Sequence, residues 1–469
     1  MASAPARAVA GTATTTPDPG TGSRTRAWGL TGLLVLLYVI NWADKAVLGI
    51  VAQPLADELG LSASQIGLVG SAFFVTFTIG GFFAGLLDKW MTLKWSLVLL
   101  ALGWAVAMLP AVLSATFAVL LVSRMVLGFA EGPSGAMIHT GVYSWHPPEK
   151  RGVPSACITA AASVAKIAIA PVLALVVATW GWRAAFVTLA VVGVTWCLVW
   201  LPTWREGPYG KRAATKPAGA PAATKAIGTP AGTKGADTTA AQQDARTGPA
   251  VVAVPWGRIL RTPTFLGGVA AILPMYAVVT VVLTWLPSYF EEGLGYSRVQ
   301  AGVMFGFPSI ASLLMLFVLT GVSDRLISRG STSRMLRGVL PATGLLACGL
   351  ALTALPWFDV PWMAVVVVSV GYSFGASIFP LLNSAISEVV PARQLAGTLG
   401  VFLALMATGG LVGPYLTGLV VDAAATPAEG YASAFQIFGV MAVVGAVIAL
   451  LTVNPERDKA RLLGTPAAS

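Results

Sequence analysis

Twelve apolar runs of about 20 residues, separated by short stretches of charge, Gly or Pro, divide the 469-residue chain. Each run is long enough to cross a hydrocarbon core about 30 Å thick as a helix. The pattern predicts an all-α integral membrane protein. The first six spans run roughly from Trp28 to Val51, Ser64 to Leu87, Trp95 to Leu113, Phe117 to Tyr143, Val153 to Ala178 and Ala184 to Leu201. The second six run from Phe265 to Phe290, Val299 to Thr320, Gly338 to Leu355, Met363 to Ala385, Leu395 to Val420 and Ala432 to Leu451. Composition agrees, since 56% of residues are apolar and only 10% charged, against roughly 25% charge in soluble domains.

Two six-helix bundles follow from what lies between the runs, with 27–202 as the N-terminal bundle and 263–452 as the C-terminal one. The stretch 203–262 is dominated by Ala, Thr, Gly, Pro and Lys and reads as a flexible linker. Residues 1–26 read as a disordered N-terminal tail and 453–469 as a C-terminal tail. Asp88-Lys89 after the second span and Asp324-Arg325 after the eighth recur at equivalent places, each three residues beyond a Gly, as expected of an internal repeat. With the N-terminus inside, cytoplasmic segments hold 24 Lys and Arg residues and the opposite side only Arg183 and Arg298. That asymmetry predicts cytoplasmic tails and linker, and it accounts for the net charge of +10 without a nucleic-acid partner. Cys157, Cys197 and Cys348 lie in apolar stretches, and neither they nor His139 and His146 have metal-ligand spacing. No metal and no cofactor is expected.

Five charges remain inside predicted spans: Asp44, Lys45, Arg124, Glu131 and Lys166. Each costs at least about 2.5–3.5 kcal/mol at a helix centre, so they should face a watery cavity and one another. At 1.5 Å per residue, Asp44 and Lys45 lie about 24 Å along their span, Glu131 about 21 Å and Lys166 about 20 Å, all near the midplane. Arg124 and Glu131, two turns apart, share one face of the fourth span. Their axial separation of about 10 Å is too long for an ion pair and leaves room for a substrate or another helix. Lys45, Arg124 and Lys166 can hold a carboxylate, and the protonation of Asp44 and Glu131 can then depend on whether an anion occupies those cations. The chemistry expected is capture of a small organic anion coupled to protons carried by Asp44 and Glu131. The structural alternative is that these charges are interhelical ion pairs holding the bundle together. Tyr276, near the middle of the seventh span, is a candidate substrate contact, and Asn383 is expected to form an interhelical hydrogen bond.

Asn41-Trp42-Ala43-Asp44-Lys45, Arg124 with Gly128 and Glu131, Trp145-His146-Pro147 with Glu149 and Arg151-Gly152, Gly181-Trp182-Arg183 with Phe186, and Trp285-Leu286-Pro287 occur in that order. The ordered set resembles the anion:cation symporter family of the major facilitator superfamily. The resemblance implies proton-driven import of organic anions by alternating access between the two bundles. It places Asp44 and Glu131 in proton coupling and Lys45 and Arg124 on the substrate carboxylate. It also matches Asp88, Lys89, Asp324 and Arg325 to a cytoplasmic gate, whose first copy is degenerate because Met91 replaces a Gly. Phe77 and Leu403 stand where sugar-acid members often carry Tyr and Asn. A site without those hydrogen-bonding groups disfavours hydroxylated substrates, and Lys166 adds a cation suited to a second anionic group. Both departures favour a small dicarboxylate or an aromatic acid.

A proton-coupled drug or metabolite exporter of the same fold is the alternative, but it has no special need of three buried cations. A non-transporting receptor of this fold is a further possibility. A membrane enzyme lacks a catalytic set of side chains here. Each chain holds both bundles, so a monomer suffices, with the lipid bilayer of a bacterial cytoplasmic membrane as its surroundings.

Overall fold

Among the described residues of the computed structural model, eleven helices are long and apolar enough to cross a membrane, and there are no strands. The described residues are 21–147, 150–209, 254–328, 332–358 and 360–463. The first half comprises α1 (Thr21–Leu59), α2 (Ala63–Gly81), α3 (Ala84–Trp90), α4 (Leu93–Ala107), α5 (Leu109–Leu113), α6 (Phe117–Glu131), α7 (Ser134–Trp145), α8 (Gly152–Val164), α9 (Ala170–Trp180) and α10 (Trp182–Thr203). The second half comprises α11 (Trp256–Leu260), α12 (Pro263–Ser288), α13 (Arg298–Met304), α14 (Phe307–Ser328), α15 (Leu340–Thr353) and α16 (Pro361–Ala376). It ends with α17 (Ile378–Val389), α18 (Ala392–Ala423), α19 (Pro427–Thr452) and α20 (Pro455–Leu463).

Several spans are longer or more broken than hydropathy alone indicates. The fourth bends between α6 and α7 at Gly132-Pro133, and the tenth between α16 and α17 at Ser377. The eighth, expected as one run from Val299 to Thr320, is interrupted at Phe305-Gly306 between α13 and α14. In the fifth span, α8 and α9 are joined by a wider π turn, Ala165–Ile169, which carries Lys166. Starts are set locally. Ser62 and Gln65 form a reciprocal capping box for α2, Ser297 and Gln300 do so for α13, and Thr116 caps α6.

Close approach of α2 and α6 fixes the depth of the buried charges. A Cβ added at Gly128 would overlap the Phe73 carbonyl oxygen and come within 2.5 Å of Thr76 Oγ1. Only Gly lets these backbones meet one turn before Glu131. The halves are joined at the end where α1 finishes: α1 packs on α12, α2 on α18, and α9 on α13.

The linker and the C-terminal tail both carry helices among the described residues. Within 203–262, residues 210–253 lie outside the described residues, but Trp256–Leu260 is helical and Val254 exchanges hydrogen bonds with the Gln394 side chain. Within 453–469, α20 folds back on the start of α12. Asp458, 1% exposed, accepts from the Thr264 amide at 2.8 Å and from Arg457 Nε at 2.8 Å. Burial alone would push this carboxyl up, but those hydrogen bonds hold it below the ordinary carboxylate range. Its contribution to stability is therefore present above about pH 4 and is lost as the pH falls through the depressed native value. Asp458→Ala is expected to destabilise by about 1–3 kcal/mol, because the Thr264 amide is left buried without its acceptor. A lower melting temperature in detergent at neutral pH checks this.

Candidate functional site

The segment Asn41–Lys45 of α1 supplies polar partners to both Arg124 and Glu131 of α6. Lys45 Nζ meets Glu131 Oε2 at 2.5 Å and Asn41 Oδ1 at 2.5 Å. One turn separates Asn41 from Lys45, so the amide steadies the ammonium from the same face of α1. Glu131 is fully buried, and its second oxygen, Oε1, has no partner among the described residues. Asn41 Nδ2 is also unpartnered. Aromatic faces enclose the pair: the Lys45 ammonium stands 4.9 Å from the Phe77 ring and 5.4 Å from that of Trp42.

Arg124, 1% exposed, donates from Nη1 to the Asp44 carbonyl at 3.0 Å. Its Nε and Nη2 are buried without acceptors, between the rings of Phe73 and Phe186. Asp44 does not join the Lys45–Glu131 pair. It lines a small cavity of about 10 Å³ with Trp104, Met108 and Phe186, between α1, α4 and α10, a space about the size of one water. Trp104 Nε1 is buried and unpartnered in the same wall. The two acids grouped by sequence thus occupy different surroundings, one paired and one lining a pocket that Trp104 also lines.

Lys166 is buried, and its ammonium lies 5.4 Å from the ring of Tyr372 on α16. Tyr276 is half-buried on α12, with ring centroids 6.4 Å from Phe74 and 6.4 Å from Phe379, so it touches aromatic residues of both halves. Asn383 forms no interhelical bond through its carbonyl, since Oδ1 is buried without a partner. Lys89 is exposed in the last turn of α3. The side chains of Asp88, Asp324 and Arg325 lie outside the described residues. A cavity of about 420 Å³ is an apolar groove between α2 and α18, lined by Leu68, Leu411, Val412 and Leu419, with none of these charged residues in its lining.

Several quoted motif residues brace the fold around the site. Trp182 Nε1 donates to Glu58 at 2.7 Å and Arg183 makes two bonds to it, at 2.8 and 2.6 Å, clamping the end of α1 to the start of α10. Arg151 donates to the carbonyls of His146 and Tyr143, and His146 pairs with Thr31 at 2.9 Å, tying the α7–α8 turn to α1. Trp285 Nε1 donates to the Pro414 carbonyl at 2.9 Å. Glu58, Trp104 and Asp422 were not singled out by sequence. Glu58 and Asp422 sit at helix ends where charge is common, and an indole N–H leaves no mark on hydropathy.

The family model described as Major Facilitator Superfamily matches residues 34–384 and 337–468. Among curated proteins, the chain is 26% identical over 93% of its length to the "Hexuronate transporter" of Bacillus subtilis, covering 95% of that protein. It is 27% identical over 90% of its length to the "Probable sulfoacetate transporter SauU" of Cupriavidus necator, covering 93% of it. Among solved structures, a bacterial homologue of the human lysosomal transporter Spinster, described as inward-facing and occupied, aligns with TM-score 0.70 at 18% identity. That alignment covers 96% of this chain and 100% of the other. A D-xylose–proton symporter aligns with TM-score 0.68 at 16% identity, covering 91% and 98%. With its helical fold, its buried charges and a matched region spanning most of its length, the chain belongs to the Major Facilitator Superfamily.

Proposed function

We propose that this multi-pass membrane transporter carries out proton-coupled uptake of a small organic anion by alternating access. The observation that carries the reading is the buried Lys45–Glu131 pair beside the half-satisfied Arg124. An anion that takes Lys45 competes with Glu131 for the same ammonium, and Glu131, once displaced in a dry site, is stable only with a proton. Binding of anion and proton are then linked through one cation. Arg124 supplies the planar donor for the carboxylate, Asp44 is the second proton carrier, and Tyr276 closes over the substrate from the other half.

Relatives are named as transporters of hexuronate, sulfoacetate and D-galactonate, all organic anions. Phe77 beside Lys45 offers a ring where a hydroxyl donor would serve a sugar acid, which favours a dicarboxylate or an aromatic acid with few hydroxyls. The bundles 27–202 and 263–452 rock about the site, joined by a cytoplasmic linker, with Asp88, Lys89, Asp324 and Arg325 at the cytoplasmic gate. By the distribution of Lys and Arg, both termini are cytoplasmic in a bacterial inner membrane. The joined end of the halves is then the outer one, so the conformation faces inward. A monomer carries the complete unit.

Uptake of a panel of carboxylates into proteoliposomes, with and without an imposed inward proton gradient, tests the reading. Accumulation of an acid above its external concentration only when the gradient is present is the expected result. Accumulation indifferent to the gradient would remove the proton coupling, and efflux driven by the gradient would favour an exporter.

A further inference from the structure

Of the five charges within the spans, four sit beside a polar partner: Lys45 pairs with Glu131 at 2.5 Å, Arg124 donates to the backbone carbonyl of Asp44, and Asp44 lines the cavity that Trp104 also lines. Lys166 remains. Among the described residues its ammonium meets no carboxylate and no hydrogen-bond acceptor, only the face of Tyr372 at 5.4 Å. It is 6% exposed. A structural ion pair therefore does not account for it, and an unpaired cation at this depth is costly unless a ligand compensates it.

Its placement is built by backbone. The π turn Ala165–Ile169 turns Ala165 onto Val39 of α1, against which Tyr38 and Trp42 also pack. The break in the eighth span brings Gly306 within 3.2 Å of the Lys166 carbonyl and 3.1 Å of Ile167 Cα, measured from where a Cβ would stand. Single π turns are rare and frequently mark functional positions. The π turn that carries Lys166 thus packs on α1 through Ala165, while the Lys166 ammonium reaches Tyr372 in the opposite half.

We infer that Lys166, with Tyr372 beneath it, is a second anion-binding point, and that the substrate class is a small organic acid carrying two anionic groups. This rests on the proposed organic-anion transport. The charges balance: one anionic group neutralises Lys166, and the other takes Lys45 when Glu131 accepts a proton. A monoanion leaves one cation uncovered or the Lys45–Glu131 pair intact, with no demand for a proton.

The test uses the full chain in proteoliposomes with matched pairs, succinate against butyrate and sulfoacetate against acetate. Wild type is expected to prefer the dianion of a pair. Lys166→Gln is expected to raise the dianion KM at least about tenfold more than the monoanion KM, and Lys166→Arg to keep the preference. Should Lys166→Gln not fold, the wild-type melting temperature is read instead, and the dianion is expected to raise it more than its monoanion partner at equal concentration. Equal loss for both members of a pair, no change on substitution, or equal thermal stabilisation by both overturns the second binding point. If wild type transports monoanions and no dianion, this inference fails while the organic-anion reading stands. If no acid is transported or bound, the underlying reading fails with it.

Discussion

Glu131→Gln is expected to abolish accumulation of substrate against its gradient while leaving exchange of internal for external substrate intact. Each pH unit across the membrane is worth about 1.36 kcal/mol per proton, so one-proton coupling over two units supports about 100-fold accumulation. The variant should fall to about onefold, with a Gln side chain of the same shape still offering its carbonyl to the Lys45 ammonium that now meets Glu131 at 2.5 Å. Because Gln bears no charge, an anion no longer competes with a carboxylate for Lys45, and substrate affinity should become tighter and flat with pH. Counterflow and gradient-driven uptake in the same proteoliposomes separate these outcomes. Gradient-driven accumulation that survives the substitution would transfer the whole coupling role to Asp44, whose carboxylate faces the separate cavity beside Trp104.

The contrast between these two acids shows how far sequence reaches. Lys45 and Glu131 were legible as costly charges near one depth, but which acid each cation meets was not. Asp44 was legible as a buried acid but not in its direction, since one residue along a helix is a turn of about 100° and decides which neighbour a side chain sees. Arg124 was expected to meet an anion, and it is the Asp44 carbonyl that occupies Nη1, a contact hydropathy carries no trace of. The breaks at Gly306 and Ser377 and the π turn at Lys166 escaped for the same reason: they alter backbone geometry within runs of unchanged apolar character. Neither Asp422 nor Asp458 stood out in the sequence, although each caps the start of a helix distant in sequence.

Gly67→Leu is expected to stop turnover by preventing closure of the end where α1 finishes, without unfolding either half. At Gly67, α2 lies so close to α18 that an added Cβ would overlap the Pro414 carbonyl oxygen and stand 3.0 Å from Tyr415 Cα. That carbonyl is already held by Trp285 at 2.9 Å, so backbone rather than a flexible side chain would have to give way. Around this contact the Tyr415 amide donates to Ser71 Oγ at 3.1 Å, and Asp422 accepts from the amides of Ala63 and Ser64 at 2.8 Å each, capping α2 from the other half. Losing the cap alone, in Asp422→Ala, should cost the closed state about 0.5–2 kcal/mol, a slowing of about 2- to 30-fold. Shifting an equilibrium from 99:1 to 1:99 takes about 5.5 kcal/mol, and a leucine wedged against backbone can supply a penalty of that order where a lost cap cannot. The interface it wedges is needed only in one state, so the melting temperature of Gly67→Leu should stay within a few degrees of wild type. Gln53→Cys, just inside the contact, reports closure when Cys157, Cys197 and Cys348 are replaced by Ser: an impermeant maleimide added at that end should label it far faster in the Gly67→Leu background. Unchanged labelling together with unchanged turnover would mean that α2 and α18 need not meet here during the cycle.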